Sequence, residues 1–299
     1  MSQQAAPRVE RSVADEVGRR VSAAPPQLYF LVSATFHYLG PSFAVLLFAQ
    51  VQVLGVAWLR IASAAAIFAL WRKPWRATKT LDRSGRLLLL GWGATLAVMN
   101  VCFYSAIDRL PLATVSAIEF LPVIALAALG ARTPRNLAAL ALSVPGVYLL
   151  THVSLRGAAL GFAFAFANAL LFSLYIVLAD RVAKRPNLSG IDGLGAAMLI
   201  ATVVVTPIGG WAALPAFSLP TALLAGIGVG VSSSVIPYVT DQLAMARLPR
   251  STYATMVALL PAIATIIGII VLTQIPSAPE TAGITLIIGG VALHQPADA

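Results

Sequence analysis

Glu119 is the residue of this sequence best placed to do chemistry. It stands nine residues into an apolar stretch that opens at Leu110, which at ~1.5 Å per residue is about 14 Å along a helix and near the middle of a ~30 Å hydrocarbon layer. An ionisable group at that depth costs at least ~2.5–3.5 kcal/mol, so it needs a reason to be there. A carboxyl group so placed can exchange a proton or meet the ammonium group of a ligand. The alternative is a packed, protonated Glu bonded to a neighbouring helix, and the functional reading is preferred. Arg60 lies about as deep in its own stretch, and a guanidinium stays charged, so it must face protein or water. It can hold a ligand carboxylate or pair structurally with a carboxylate such as Glu119, and both readings stand.

Around these two lies a weaker set. His37 precedes Gly40-Pro41, where the proline removes a backbone donor and the glycine permits close approach or a bend, so carbonyls there are open to a ligand. For His37 itself a satisfied core histidine is favoured over a proton relay. Asn100 and Tyr104 share a helix face, as do Asn168 and Phe172, with Tyr175 one turn on. Each asparagine alone reads as an interhelical hydrogen bond, but polar groups beside aromatic rings in matching stretches suit a cavity. Ser232-Ser233-Ser234 is followed by Pro237-Tyr238, so serine hydroxyls can satisfy carbonyls freed by the proline and the helix there is expected to bend. Ser233 and Tyr238 join the candidate lining. Asp241 reads either as a gate-side carboxylate or as a solvated helix end paired with Arg247 or Arg250, and the second is preferred. Gly40, Pro41, Pro122, Pro237 and Pro261 are the candidate hinges.

Other chemistries find no support. Ser-His-Asp order, HExxH, Walker and CxxC patterns are all missing, so no enzyme is expected. Cys102 has no partner, His152 and His294 offer no ligand spacing, and no metal or cofactor is expected. Gly226, Gly228 and Gly230 read as close helix packing, since no strand precedes them.

The elements that must position these residues are membrane helices. The chain of 299 residues is 59% hydrophobic and only 10% charged, against roughly 25% charged in soluble domains. Apolar stretches fall near 28–48, 50–71, 85–106, 110–130, 135–151, 157–180, 190–212, 218–241, 250–273 and 278–294. Ten spans are therefore expected, an all-α bundle with lipid as solvent and substrate as its small-molecule partner. The net charge of +9 does not point to nucleic acid, because seventeen of the twenty Lys and Arg fall in the tail and alternate connections. That bias predicts an inner-membrane protein with both termini cytoplasmic. Residues 1–27 are read as a cytoplasmic tail, preferably disordered, although Val9, Val13, Val17 and Val21 would line one face of a surface helix.

The two halves resemble each other. Arg109-Leu110-Pro111 with Pro122 recurs as Arg247-Leu248-Pro249 with Pro261, and spans five and ten match at an offset of 144, as in Gly146 with Gly290. The expected division is a five-helix repeat over 28–152, a second over 153–294, and a short C-terminus at 295–299. Five is odd, so the second copy enters from the opposite face, and such inverted repeats suit alternating access. A monomer is expected.

Gly40-Pro41-Ser42, Ala57-Trp58-Leu59-Arg60, Lys73-Pro74-Trp75-Arg76, Met99-Asn100, Arg109-Leu110-Pro111 with Glu119-Phe120, and Pro237-Tyr238 before Arg247-Leu248-Pro249 together resemble the drug/metabolite transporter superfamily. The closest branch is the EamA-type exporters, particularly bacterial threonine and homoserine exporters, with aromatic amino-acid exporters as structural relatives. The resemblance runs from about residue 30 to 290 and implies export of amino acids or similar metabolites through a cavity between the halves. It also implies coupling to protons, with Glu119 as their carrier. Members often carry a Glu before the proline of span nine and an acid after that span, where this chain has Leu260 and Thr273-Gln274. A passive channel, or an exporter of drugs or purine-like metabolites, is the alternative.

Overall fold

The computed structural model describes residues 25–79, 81–122, 133–185, 188, 190–245, 247–248, 256 and 259–293. Most of the expected tail, the second half of span four, much of the first half of span nine and the C-terminus from His294 lie outside the described residues. Among the described residues every regular element is a helix.

Local chemistry sets the helix ends. Helix α1, Pro26–Leu47, opens on a proline at its first position, where a missing N–H costs nothing. Helix α2, Val53–Arg72, closes on Lys73 in the left-handed conformation, and a short α3, Trp75–Thr78, follows. Helix α4, Arg83–Ile107, is capped by the Asp82 carboxylate, which accepts from Gly85 N–H at 2.8 Å. Helix α5, Leu112–Glu119, starts after Pro111. Helix α6, Pro134–Ala183, is capped by the Thr133 hydroxyl. Helix α7, Gly190–Val205, widens into a π-turn at Thr206–Gly210 and continues as α8, Trp211–Phe217. Helix α9, Pro220–Gly230, does the same through Val231–Val235 into α10, Ile236–Met245. Helices α11, Leu260–Leu272, and α12, Ala278–Leu293, complete the bundle.

Six described stretches are long and apolar enough to cross a membrane, and α11 and α12 are shorter apolar helices. Their outer faces carry residues such as Leu70, Val203, Leu224 and Ile270, each more than two-thirds exposed, which only an apolar solvent makes favourable. Span eight widens into a π-turn at the three serines, where the Ser232 hydroxyl donates to Gly228 O at 2.7 Å.

The described helix α6 differs from expectation. Spans 135–151 and 157–180 were expected as separate helices, yet helical backbone runs through all 50 residues from Pro134 to Ala183. The breakers available between these spans are Arg156 and Gly157, and a single glycine costs a helix only about 1 kcal/mol. Its two halves pack on different neighbours. In the first, Gly146 lies against Gly283 and Ile287 of α12; in the second, Gly161 lies against Arg109 and Leu110.

Polar contacts mark the two ends of the bundle. Arg72 donates to Asp192 at 2.9 Å, and Arg185 reaches Asp82 at 3.3 Å and Ser84 at 2.7 Å. Since α1 and α2 are joined by a short turn, the start of α1 shares this basic end. Arg109, Gly161, and Gly55 packed on Ala212 share the other. Between the ends, glycines let helices touch. A Cβ on Gly93 would stand 2.9 Å from Ala197 O, and one on Gly230 2.8 Å from Arg60 O.

Candidate functional site

Helix α2 buries Arg60 at 5% exposure with its charge aimed at the π-turn of span eight. Pro237 has no N–H to offer the carbonyl of Ser233 four residues back, and Arg60 fills that gap. Its Nη2 donates to Ser233 O at 3.1 Å and its Nε to Ser234 Oγ at 3.0 Å. The guanidinium also lies 5.4 Å from the centre of the Tyr104 ring, within cation–π range. Among the described residues no carboxylate forms an ion pair with Arg60. The pairing of Arg60 with Glu119 that the sequence left open is thus not made.

Glu119 closes α5 and is 4% exposed. Asn168 of α6 donates its amide to Glu119 Oε1 at 3.0 Å. Among the described residues the second oxygen, Oε2, has no hydrogen-bond partner, and neither has Asn168 Oδ1, while the Tyr104 hydroxyl lies beside Ser233 and Arg60. Buried polar atoms left so cost about 1–3 kcal/mol each.

The other candidates divide. His37, Tyr104, Glu119, Tyr175 and Tyr238 all feel the charge of Arg60, so the structure brings these residues of five helices together. Tyr175 stacks on Phe172 at 6.3 Å and meets Trp92 at 5.6 Å, forming an aromatic wall. Asn100 is buried, but its amide donates to Leu96 O within its own helix at 2.8 Å. Helix α1 stays helical through Gly40-Pro41. Gly40 serves close approach, since a Cβ there would run into Ser233 Oγ and stand 2.6 Å from Ser233 N and 2.7 Å from Ser233 Cα. Pro122 is partly buried beyond Glu119, and Pro261 opens the described part of α11. Among the described residues no His, Cys, Asp and Glu cluster could hold a metal.

Two residues escaped sequence reasoning. Tyr38 is fully buried and its hydroxyl accepts from Ser116 at 2.7 Å, joining α1 to α5 beside the acid. Ser116 is three residues before Glu119 and so shares its helix face, a spacing that could have flagged it.

The matches to known proteins follow this geometry. The model of the EamA-like transporter family matches residues 159–294. The threonine/homoserine exporter RhtA of Salmonella typhimurium is 32% identical over 263 residues, covering 86% of each chain. RhtA of Escherichia coli is 31% identical with the same coverage. The chain belongs to the EamA-like transporter family. A solved structure described only as "Crystal structure of protein" superposes with a TM-score of 0.54 at 19% identity, covering 90% of this chain and 97% of that one, and speaks for the fold alone. Membership places this EamA-like chain among transporters rather than enzymes, as a multi-pass membrane protein. Arg60 and Glu119 are therefore buried ionisable side chains inside a transporter.

Proposed function

We propose that this protein exports small amino acids of the threonine and homoserine type by alternating access. The observation that carries this reading is a pair of buried, oppositely charged groups in one site, each with unused bonding capacity. Among the described residues Arg60 has no acid partner and Glu119 Oε2 has no donor. A zwitterion supplies both: its carboxylate meets Arg60 with the Tyr104 and Ser233 hydroxyls, and its ammonium meets Glu119 Oε2 and Asn168 Oδ1. Tyr175 and Tyr238 bound the side-chain end. In the absence of substrate a proton occupies Glu119, and exchange of the one for the other couples export to the proton gradient. The names of the 31–32% identical relatives support the substrate class.

The moving parts in this reading are two inverted repeats of five spans, 28–152 and 153–294, with the halves of α6 as spans five and six. Contacts that survive exchange of the halves support it. Gly93 against Ala197 and Ile200 corresponds to Gly230 against Arg60 and Ser63, each residue shifted by 137; Gly146 against Gly283 corresponds to Gly290 against Ala139, each shifted by 144. The repeats rock about the site, with Gly40, Pro41, Pro122, Pro237 and Pro261 near the bending points. The basic end of the bundle faces the cytoplasm of the inner membrane, along with both termini.

Uptake of labelled threonine, homoserine and phenylalanine into liposomes, with and without a pH gradient, tests this in wild type and Glu119→Gln. Saturable, gradient-driven flux of the small hydroxylated substrates, lost in the variant, is expected. Gradient-driven flux unaffected by Glu119→Gln would remove the acid from the mechanism.

A further inference from the structure

We propose that the two Arg-Leu-Pro turns are matched latches at opposite ends of the bundle, each clamping one half of the chain to the first helix of the other half. The inference rests on the alternating-access reading and adds the contacts that decide which face opens.

At the end of α4, Arg109 and Leu110 both donate backbone N–H to Ala106 O, at 3.0 and 2.8 Å. After α10, Arg247 and Leu248 do the same to Ala244 O, at 3.1 and 2.8 Å. The three positions correspond at a shift of 138. Both leucines and both alanines are buried, so each turn is anchored and its arginine is presented at a fixed place. Arg109 then lies 5.5 Å from the ring centre of Phe164, and Arg247 4.9 Å from that of Tyr29. Phe164 and Tyr29 are 135 residues apart, close to the shifts of 137 and 138 that relate other paired contacts, and lie on the second half of α6 and on α1. One contact therefore sits at the far end beside Gly161, and its twin sits at the basic end where α1 begins.

Both latches are closed in this structure, and Arg60, Glu119 and Asn168 between them are almost fully buried. Opening toward either face requires the arginine of that face to leave its ring. At the far latch Arg109 also donates to Ser105 O at 2.7 Å and pairs with Asp108 at 3.0 Å. Gln274, held by the left-handed Thr273 that ends α11, accepts from Leu112 N–H at 3.0 Å.

The test uses the full chain in liposomes, with Cys102→Ser and one reporter cysteine, labelled by a membrane-impermeant thiol reagent. Ala165→Cys reports the far half and Ala34→Cys the basic half, both positions being buried between a latch and the site. Phe164→Leu should speed labelling of the first and slow the second; Tyr29→Leu should do the reverse. Losing one such contact shifts the balance of states roughly 2- to 30-fold. Arg109→Lys and Arg247→Lys, which keep charge but lose the planar stack, should shift labelling in the same senses. If either variant speeds both reporters together, the rings are mere packing and the proposal falls; unchanged labelling overturns it equally. Threonine added without latch substitutions separates the two ideas. Reporters that answer it in opposite senses uphold alternating access whatever the latch variants do, and reporters that both speed with threonine refute alternating access itself.

Discussion

Replacing Arg60 with Gln isolates its role in holding a carboxylate. In the structure Arg60 makes two hydrogen bonds, to Ser234 Oγ and Ser233 O, and one cation–π contact with Tyr104. Fewer of these survive in Gln, which costs the fold about 1–3 kcal/mol for a carbonyl left unmet. Removing a buried charge that has no acid partner returns part of that, so thermal unfolding in detergent should move little. Substrate binding should move much more. A charge-assisted hydrogen bond to a carboxylate contributes about 1.5–3 kcal/mol, or roughly 10- to 150-fold in affinity. Competition against labelled threonine by threonine and by its methyl ester measures this directly. Wild type should prefer the free acid by roughly that factor, and Arg60→Gln should lose most of the preference with its fold intact. A folded Arg60→Gln protein that keeps the wild-type preference would refute the argument.

Asn168→Leu removes the donor to Glu119 Oε1 and should lower threonine flux at least ~10-fold, taking the same value for a charge-assisted bond; transport by folded protein checks it. Gly40→Ala forces a Cβ onto Ser233 and should destabilise by about 1–3 kcal/mol through overpacking, read as a lower melting temperature. Gly91→Ala, with nothing within 4 Å of the new carbon, should instead be neutral or stabilising by up to ~1 kcal/mol. Gln274→Leu leaves the buried start of α5 without its acceptor and should cost about 1–3 kcal/mol, measured the same way.

The helices were legible because apolar stretches, prolines and capping residues speak locally. Pro26, Asp82 and Thr133 mark starts that the structure keeps within a few residues of expectation. The continuity of α6 was not legible, since Arg156-Gly157 is too weak a breaker to decide whether helical backbone stops. Arg60 and Glu119 stood out because a charge at mid-membrane is expensive wherever it sits. What they touch could not be read, because the partners come from distant segments: Ser234 is 174 residues from Arg60, and Asn168 is 49 from Glu119. Asn100 shows the opposite limit. A polar residue on a plausible face spent its donor on its own helix, an outcome that spacing alone does not distinguish from pocket lining.

Counterflow tests the central claim most directly. Liposomes loaded with unlabelled threonine and diluted into labelled threonine should accumulate label transiently above its equilibrium level, because a carrier exchanges one bound substrate for another across the membrane. Label that rises only to equilibrium, with no overshoot, would contradict a carrier and leave the buried Arg60 and Glu119 lining a passive path.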